Sequence, residues 1–229
     1  VEVVNDLNGD LVSLYRCAQW HLDALCSEIE FMLMSRRNVL DLVEQPGLTE
    51  LQRAARFLVA NRQSFGGNGK TYGVAKTQPP PSRAKVMELL RALNARLDHV
   101  SVENLPYERC LDLYDGIDSF FFLDPPYLAS KAEHYAGWDE AAMGAFAERV
   151  LALKGTWLVT VDDSPFTRRA FTGCRITPVR TRNGAVNRRL CPDATFGELV
   201  IQPTAAAAVA AVPRPTAGRA AAVVGRKAA

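Results

Sequence analysis

Apolar residues at Leu11, Leu14, Tyr15, Ala18, Leu22, Leu25, Ile29 and Met32 recur at the spacing of one helix face. The pattern predicts helix through residues 10–33. Ahead of it, "VEVVNDLN" reads as a short strand ending in a polar turn. Thr49 is placed to N-cap a helix over 50–61, and Ser82 to N-cap another over 83–97. Between them, residues 64–81 are Gly-rich and then Pro-rich, which predicts a loop. A strand at 99–103, a short helix at 106–114, the strand "SFFFLD" and a helix over 139–153 follow. "TWLVTVDD", "CRITPVRTR" and "GELVIQP" read as closing strands. The order predicts an α/β sheet with a helical insert after the first strand. No internal repeat is visible.

Hydrophobic content of 48% suits a globular core, and 229 residues suit one sizeable domain with an insert. No run approaches the 18 or more apolar residues of a membrane span, and no signal peptide is visible, so no membrane partner is expected. Five scattered cysteines, none in a CxxC, favour reduced thiols in a cytoplasm over a disulfide framework or zinc site. The three histidines are far apart and read as surface or satisfied core.

From Thr204 onward the chain is Ala-rich, with four basic residues and no acid, and reads as a disordered cationic tail. Without that tail the net charge falls from +2 to −2. The body is therefore not globally basic. Residues 36–91, however, carry ten basic and four acidic side chains. That excess fits either a solvated helical surface or a face that meets phosphate.

The chemistry concentrates in "FFFLDPPY". An apolar strand delivers Asp124 at its carboxyl end, where open α/β sheets bind ligands. Pro125 and Pro126 have fixed φ and no N–H, so the turn is stiff and its carbonyls point outward. The Asp124 carboxylate and the Pro125 carbonyl form a cup of acceptors, with Tyr127 as an aromatic face beside them. A planar ring with an exocyclic NH2 suits that cup. Its two N–H groups donate to the two acceptors, and the nitrogen lone pair becomes more nucleophilic. A base presenting such an amine must first leave the duplex.

"DPPY" after an apolar strand resembles the catalytic motif of amino-directed DNA methyltransferases. With "VEVVNDLNGDLVSLYR", "NRQSFGGNGKTYG", "VSVENLPYERCLDLYD" and "GELVIQP", the chain from Val1 to about Pro203 is similar to the Dam-type adenine methyltransferases of bacteria and phages. The resemblance implies a Rossmann-like S-adenosylmethionine-dependent sheet with a helical DNA-recognition insert. It implies a core over 1–35 and 99–203, an insert over 36–98 and a tail over 204–229. Asp124, Pro125, Pro126 and Tyr127 would be catalytic, and Asp6 and Asp124 would face the cofactor S-adenosylmethionine. Asp6 matches the acid that binds the ribose hydroxyls, although an acid at that place can also cap the next helix. Arg62, Gln63, Phe65, Asn68, Lys70 and Lys76 would meet double-stranded DNA. No metal is implied. The setting would be a bacterial cytoplasm, in a bacterial or phage-encoded restriction-modification context.

An acid on the ribose lies about 20 residues after a Gly-rich turn. From Asp6 that turn is expected upstream of Val1, so the family's FxGxG loop and its central first strand are expected to be missing here. A non-catalytic DNA-binding remnant is therefore one alternative. A cytosine amino-methyltransferase is another, since the motif can also hold cytosine's amine. "SFGGNGKT" offers a formal FxGxG and a P-loop-like ending. Position 64 is Ser64 rather than Gly, and "YGVAKTQPPP" cannot supply the helix that a phosphate site needs. An NTPase is thus the weakest reading.

Overall fold

The computed structural model describes residues 1–32, 35–45, 47, 49–64, 82–128, 137–182, 195–204 and 221–224. In chain order, the first elements are β1 (Glu2–Asn5), α1 (Gly9–Trp20), α2 (Leu22–Glu30), α3 (Arg36–Glu44), α4 (Glu50–Gln63) and α5 (Arg83–Leu97). Next come β2 (Val100–Glu103), α6 (Tyr107–Tyr114), β3 (Phe120–Leu123), α7 (Glu140–Leu151) and β4 (Thr156–Asp162). The last are α8 (Pro165–Ala170), β5 (Arg175–Arg182), β6 (Thr195–Gln202) and β7 (Ala221–Val224). Two compact units share these elements. One holds Val1–Asn5 and the described residues from Leu105 onward, and the other holds Asp6–Asn104.

In the first unit the strands run in the order β1-β7-β3-β4-β6-β5. Strands β1, β7, β3 and β4 are parallel, while β6 is antiparallel to both β4 and β5. This mixed α/β sheet matches the fold class that the order of elements predicts. Strand β4 shows its period directly. Trp157, Val159 and Val161 are buried, and Thr156, Leu158, Thr160 and Asp162 face the other way. The buried set joins Val3, Phe121, Leu123, Leu199 and Ile201 in one core. Helix α7 covers that core with Met143, Phe146, Ala147 and Val150, spaced as one helix face. Asp139 starts α7 by accepting from the Ala142 N–H at 2.9 Å. Gly155 permits the close passage into β4, since a Cβ there would lie 2.7 Å from the Ser119 carbonyl oxygen.

Two expectations for this unit change. The run Phe120–Leu123 reads as a strand buried on both faces, yet Phe120 is 39% exposed and only Phe121 and Leu123 are buried. The tail reads as disordered, yet Ala221–Val224 form β7 between β1 and β3. Ala-Ala-Val-Val is apolar and ends in β-branched residues, so it can enter a sheet. Alanine-rich composition hid that short signal. With partners on both sides, the backbone amides of β7 should exchange with deuterium as slowly as those of β3. Exchange of Ala222–Val224 at the rate of an open chain would contradict their place in the sheet.

The second unit is helical. Leu14, Cys17, Ala18, Leu25 and Ile29 share a core with Ala54, Ala55, Val59, Val86 and Leu90. Helices α1 and α2 therefore belong with α4 and α5, and the unit begins at Asp6, not at the expected residue 36. The predicted helix over 10–33 is broken at His21 (φ −133°, ψ 37°). Asn94 Nδ2 donates to the Ala18 and Gln19 carbonyls at 2.9 and 3.0 Å, which satisfies carbonyls at the end of α1 and stabilises the break. The predicted caps hold. Thr49 forms a capping box with Gln52, and the Ser82 hydroxyl accepts from the Lys85 N–H at 3.2 Å. Helices α3 and α8 were not expected from the spacing, although Ser164-Pro165 carries the cap-then-proline signal for α8.

Candidate active site

The parallel register pairs Leu123 with Val159, so the DPPY turn leaves the carboxyl end of β3 beside Thr160 of β4. The Thr160 hydroxyl donates to Asp124 Oδ1 at 2.7 Å. Two residues along the same face of β4, Asp162 Oδ1 accepts from the Leu128 N–H at 3.0 Å. Strand β6 runs antiparallel to β4 and places Glu198 opposite Asp162. The Tyr127 hydroxyl donates to Glu198 Oε1. Three side chains from two strands thus hold three points of the turn between Asp124 and Leu128.

Tyr127 is 9% exposed. Burial first, then the bond to Glu198, then the charges of Asp124, Glu198 and Asp162 push its phenol far above the ordinary 10.0. The phenol therefore stays protonated and remains a donor. Its enclosed ring differs from the open stacking face expected of it. Pro125 is buried as well, whereas Asp124 and Pro126 are half-buried. Just beyond β4, Arg168 donates to Asp163 through Nε at 2.6 Å and Nη2 at 2.8 Å. That bidentate pairing holds the Asp163 carboxyl below its usual range. The Asp163 N–H donates to the Gly197 carbonyl at 3.1 Å. A Cβ at Gly197 would come within 3.2 Å of Asp163 Cβ, so glycine fits this approach of β6.

Asp6 follows β1 directly. At the end of that strand, Asn5 exchanges two hydrogen bonds with Leu105, at 3.0 and 2.8 Å, from a buried position. Asp6 Oδ1 accepts from the Asn8 N–H at 2.7 Å, an Asx-type turn. The helix cap is Asn8, whose side chain accepts from Asp10 and Leu11. Asp6 is therefore not the cap of α1. An ionised carboxylate offers about four acceptor positions, so its chemistry suits the hydroxyls of a ribose.

Of the DNA candidates, Arg62 is exposed in the last turn of α4. Gln63, next to it, is 5% exposed. Phe65, Asn68, Lys70 and Lys76 lie outside the described residues. Among the described residues no helix is long and apolar enough to cross a membrane. Sequence reasoning missed Thr160, Asp162 and Glu198 as site residues. Their signal was a pair of polar positions at period two in "TWLVTVDD" and an acid inside "GELVIQP".

A family model described as D12 class N6 adenine-specific DNA methyltransferase matches residues 2–182. No curated protein matches the chain.

Proposed function

The chain belongs to the D12 class N6 adenine-specific DNA methyltransferase family, and on that premise we propose that it uses Asp124, Pro125, Pro126 and Tyr127 to hold a flipped adenine while its N6 amine is methylated. Membership makes it an enzyme acting on DNA with a methyl donor. The donor proposed is S-adenosylmethionine, which supplies an electrophilic methyl group when bound. Asp6 is the residue proposed to accept from its ribose hydroxyls. The substrate proposed is duplex DNA, and the setting is the bacterial cytoplasm, where a chromosome or phage genome lies.

The observation that carries the reading is the carboxylate of Asp124 at the carboxyl end of β3, held by Thr160. Asp124 and the Pro125 carbonyl each accept one N–H of the amine. Both acceptors are fixed before the base arrives, so little reorganisation is needed as positive charge grows on nitrogen. The prolines stiffen the backbone that carries the carbonyl, and the Thr160 hydroxyl engages the carboxylate. Tyr127 offers its ring to the base once that face is uncovered. Adenine is favoured over cytosine by the family, and nothing in the site favours a nucleotide hydrolase.

The cofactor assignment is tested by calorimetry. Asp6→Ala should weaken S-adenosylmethionine binding by about 10- to 100-fold, the loss of one or two hydrogen bonds to a charged group, with DNA affinity unchanged. Equal affinity in both proteins would remove Asp6 from the cofactor site. The DNA assignment is tested by salt dependence. Replacing Arg62 and Lys70 with Gln should weaken binding to all sequences and flatten the slope of log K against log salt by up to about 2. An unchanged slope would take both residues out of the interface.

A further inference from the structure

We propose that Thr160 is a positioning residue for methyl transfer, fixing the orientation in which the Asp124 carboxylate meets the target amine. This rests on the reading of Asp124 as the amine's acceptor. Pro125 and Pro126 stiffen the backbone after Asp124 but leave its own side-chain torsions unrestrained. A carboxylate on a half-buried strand end can rotate about its terminal torsion, which is broad and two-fold. An acceptor that rotates is a poor match for an amine whose two N–H directions are fixed. Something outside the turn must set the plane.

Strand β4 supplies it. The residue after the Leu123–Val159 pair in each parallel strand is Asp124 in one and Thr160 in the other. The sheet itself therefore brings the two side chains together. Thr160 is stiff at χ1 because it is β-branched, and it stands between Val159 and Val161, both at 0% exposure. Its hydroxyl donates to Asp124 Oδ1 at 2.7 Å, a normal length for a charge-assisted O–H···O bond. The neighbouring polar positions act on other parts of the turn. Asp162 engages the Leu128 N–H, and Glu198 engages the Tyr127 hydroxyl. Thr160 is thus the member of the group whose hydroxyl reaches the acceptor itself.

A side chain placed this way should act on rate more than on binding. Removing its hydroxyl leaves the charge of Asp124 and the DNA surface in place. A supporting contact that sets geometry can be worth up to about 10²-fold in rate when lost.

The test compares Thr160→Val, Thr160→Ser and Asp124→Ala in the full chain. The readouts are single-turnover methyl transfer, KM for DNA and thermal melting. Thr160→Val should lower the transfer rate about 10- to 100-fold with KM for DNA within about twofold, and Thr160→Ser should restore most of the rate. In the Asp124→Ala background, Thr160→Val should change the residual rate by less than about twofold, because the two act as a unit. Should the valine protein fail to fold, Thr160→Ala carries the same expectation.

Inactive Asp124→Ala with fully active Thr160→Val would overturn the positioning role alone. Fully active Asp124→Ala would overturn the acceptor reading beneath it. Loss in Thr160→Val that Thr160→Ser does not restore, with a matching fall in melting temperature, would mean that the side chain serves only the fold and would overturn the positioning role.

Discussion

Asp124→Ala is expected to lower methyl transfer to DNA by about 10³-fold while leaving DNA binding and folding largely intact. The side chain sits at the end of β3 and accepts from the Thr160 hydroxyl. Its backbone position is set by the β3–β4 ladder and by Pro125, none of which depends on the carboxylate. Losing one preorganised partner of a charge that develops in the transition state costs about 10²–10³-fold in rate. Removing Asp124 also leaves the Thr160 hydroxyl facing an empty place, so the true loss should lie at or beyond the upper end. Filter binding, melting temperature and single-turnover transfer would be measured on the same preparation. Joint loss of transfer and DNA binding would contradict the assigned role, because Asp124 would then belong to the DNA-binding surface.

Tyr127→Ala is expected to reduce both stability and rate. The phenol is enclosed and its hydroxyl is held by Glu198. Truncating a buried aromatic side chain costs about 3–5 kcal/mol, so melting should fall by on the order of 10 °C in a chain of this length. If the ring also stacks on the flipped base, about 1–3 kcal/mol of base affinity goes with it. Tyr127→Phe separates the two contributions. It keeps the ring, loses the bond to Glu198 and should cost only about 1 kcal/mol of stability. Its transfer rate should stay within about tenfold of the parent, well above that of the alanine protein. Equal rates for the two variants would make the hydroxyl the functional group and remove the ring from base contact.

The parts legible in the sequence are those set by local rules. Apolar spacing over α7, the caps at Thr49 and Ser82, and the apolar run into Asp124 follow from contacts within a few residues. The DPPY turn is readable because acid, prolines and tyrosine are contiguous. Thr160, Asp162 and Glu198 are not, because each acts on the turn through strand register. Each lies more than 30 positions from its partner in the chain, and only the β3–β4 and β4–β6 pairings bring them together. The break at His21 is of the same kind. Asn94 on α5, more than 70 residues away, holds the carbonyls that end α1 there. β7 was missed for another reason. Four residues in an alanine-rich segment carry too little pattern to stand out, and a parallel partner on each side draws them into a strand. Gln63, beside the basic Arg62, is buried at the end of α4, which its polar side chain does not signal.

Adenine methylation by this chain can be read out in a single assay. Labelled methyl transfer from S-adenosylmethionine to unmethylated duplex DNA would be assayed with the full chain, and the product digested to nucleosides. Label is expected in N6-methyl-2′-deoxyadenosine and none in methylated cytosine. Label in cytosine, or no transfer by a folded chain that binds both DNA and S-adenosylmethionine, would contradict that expectation.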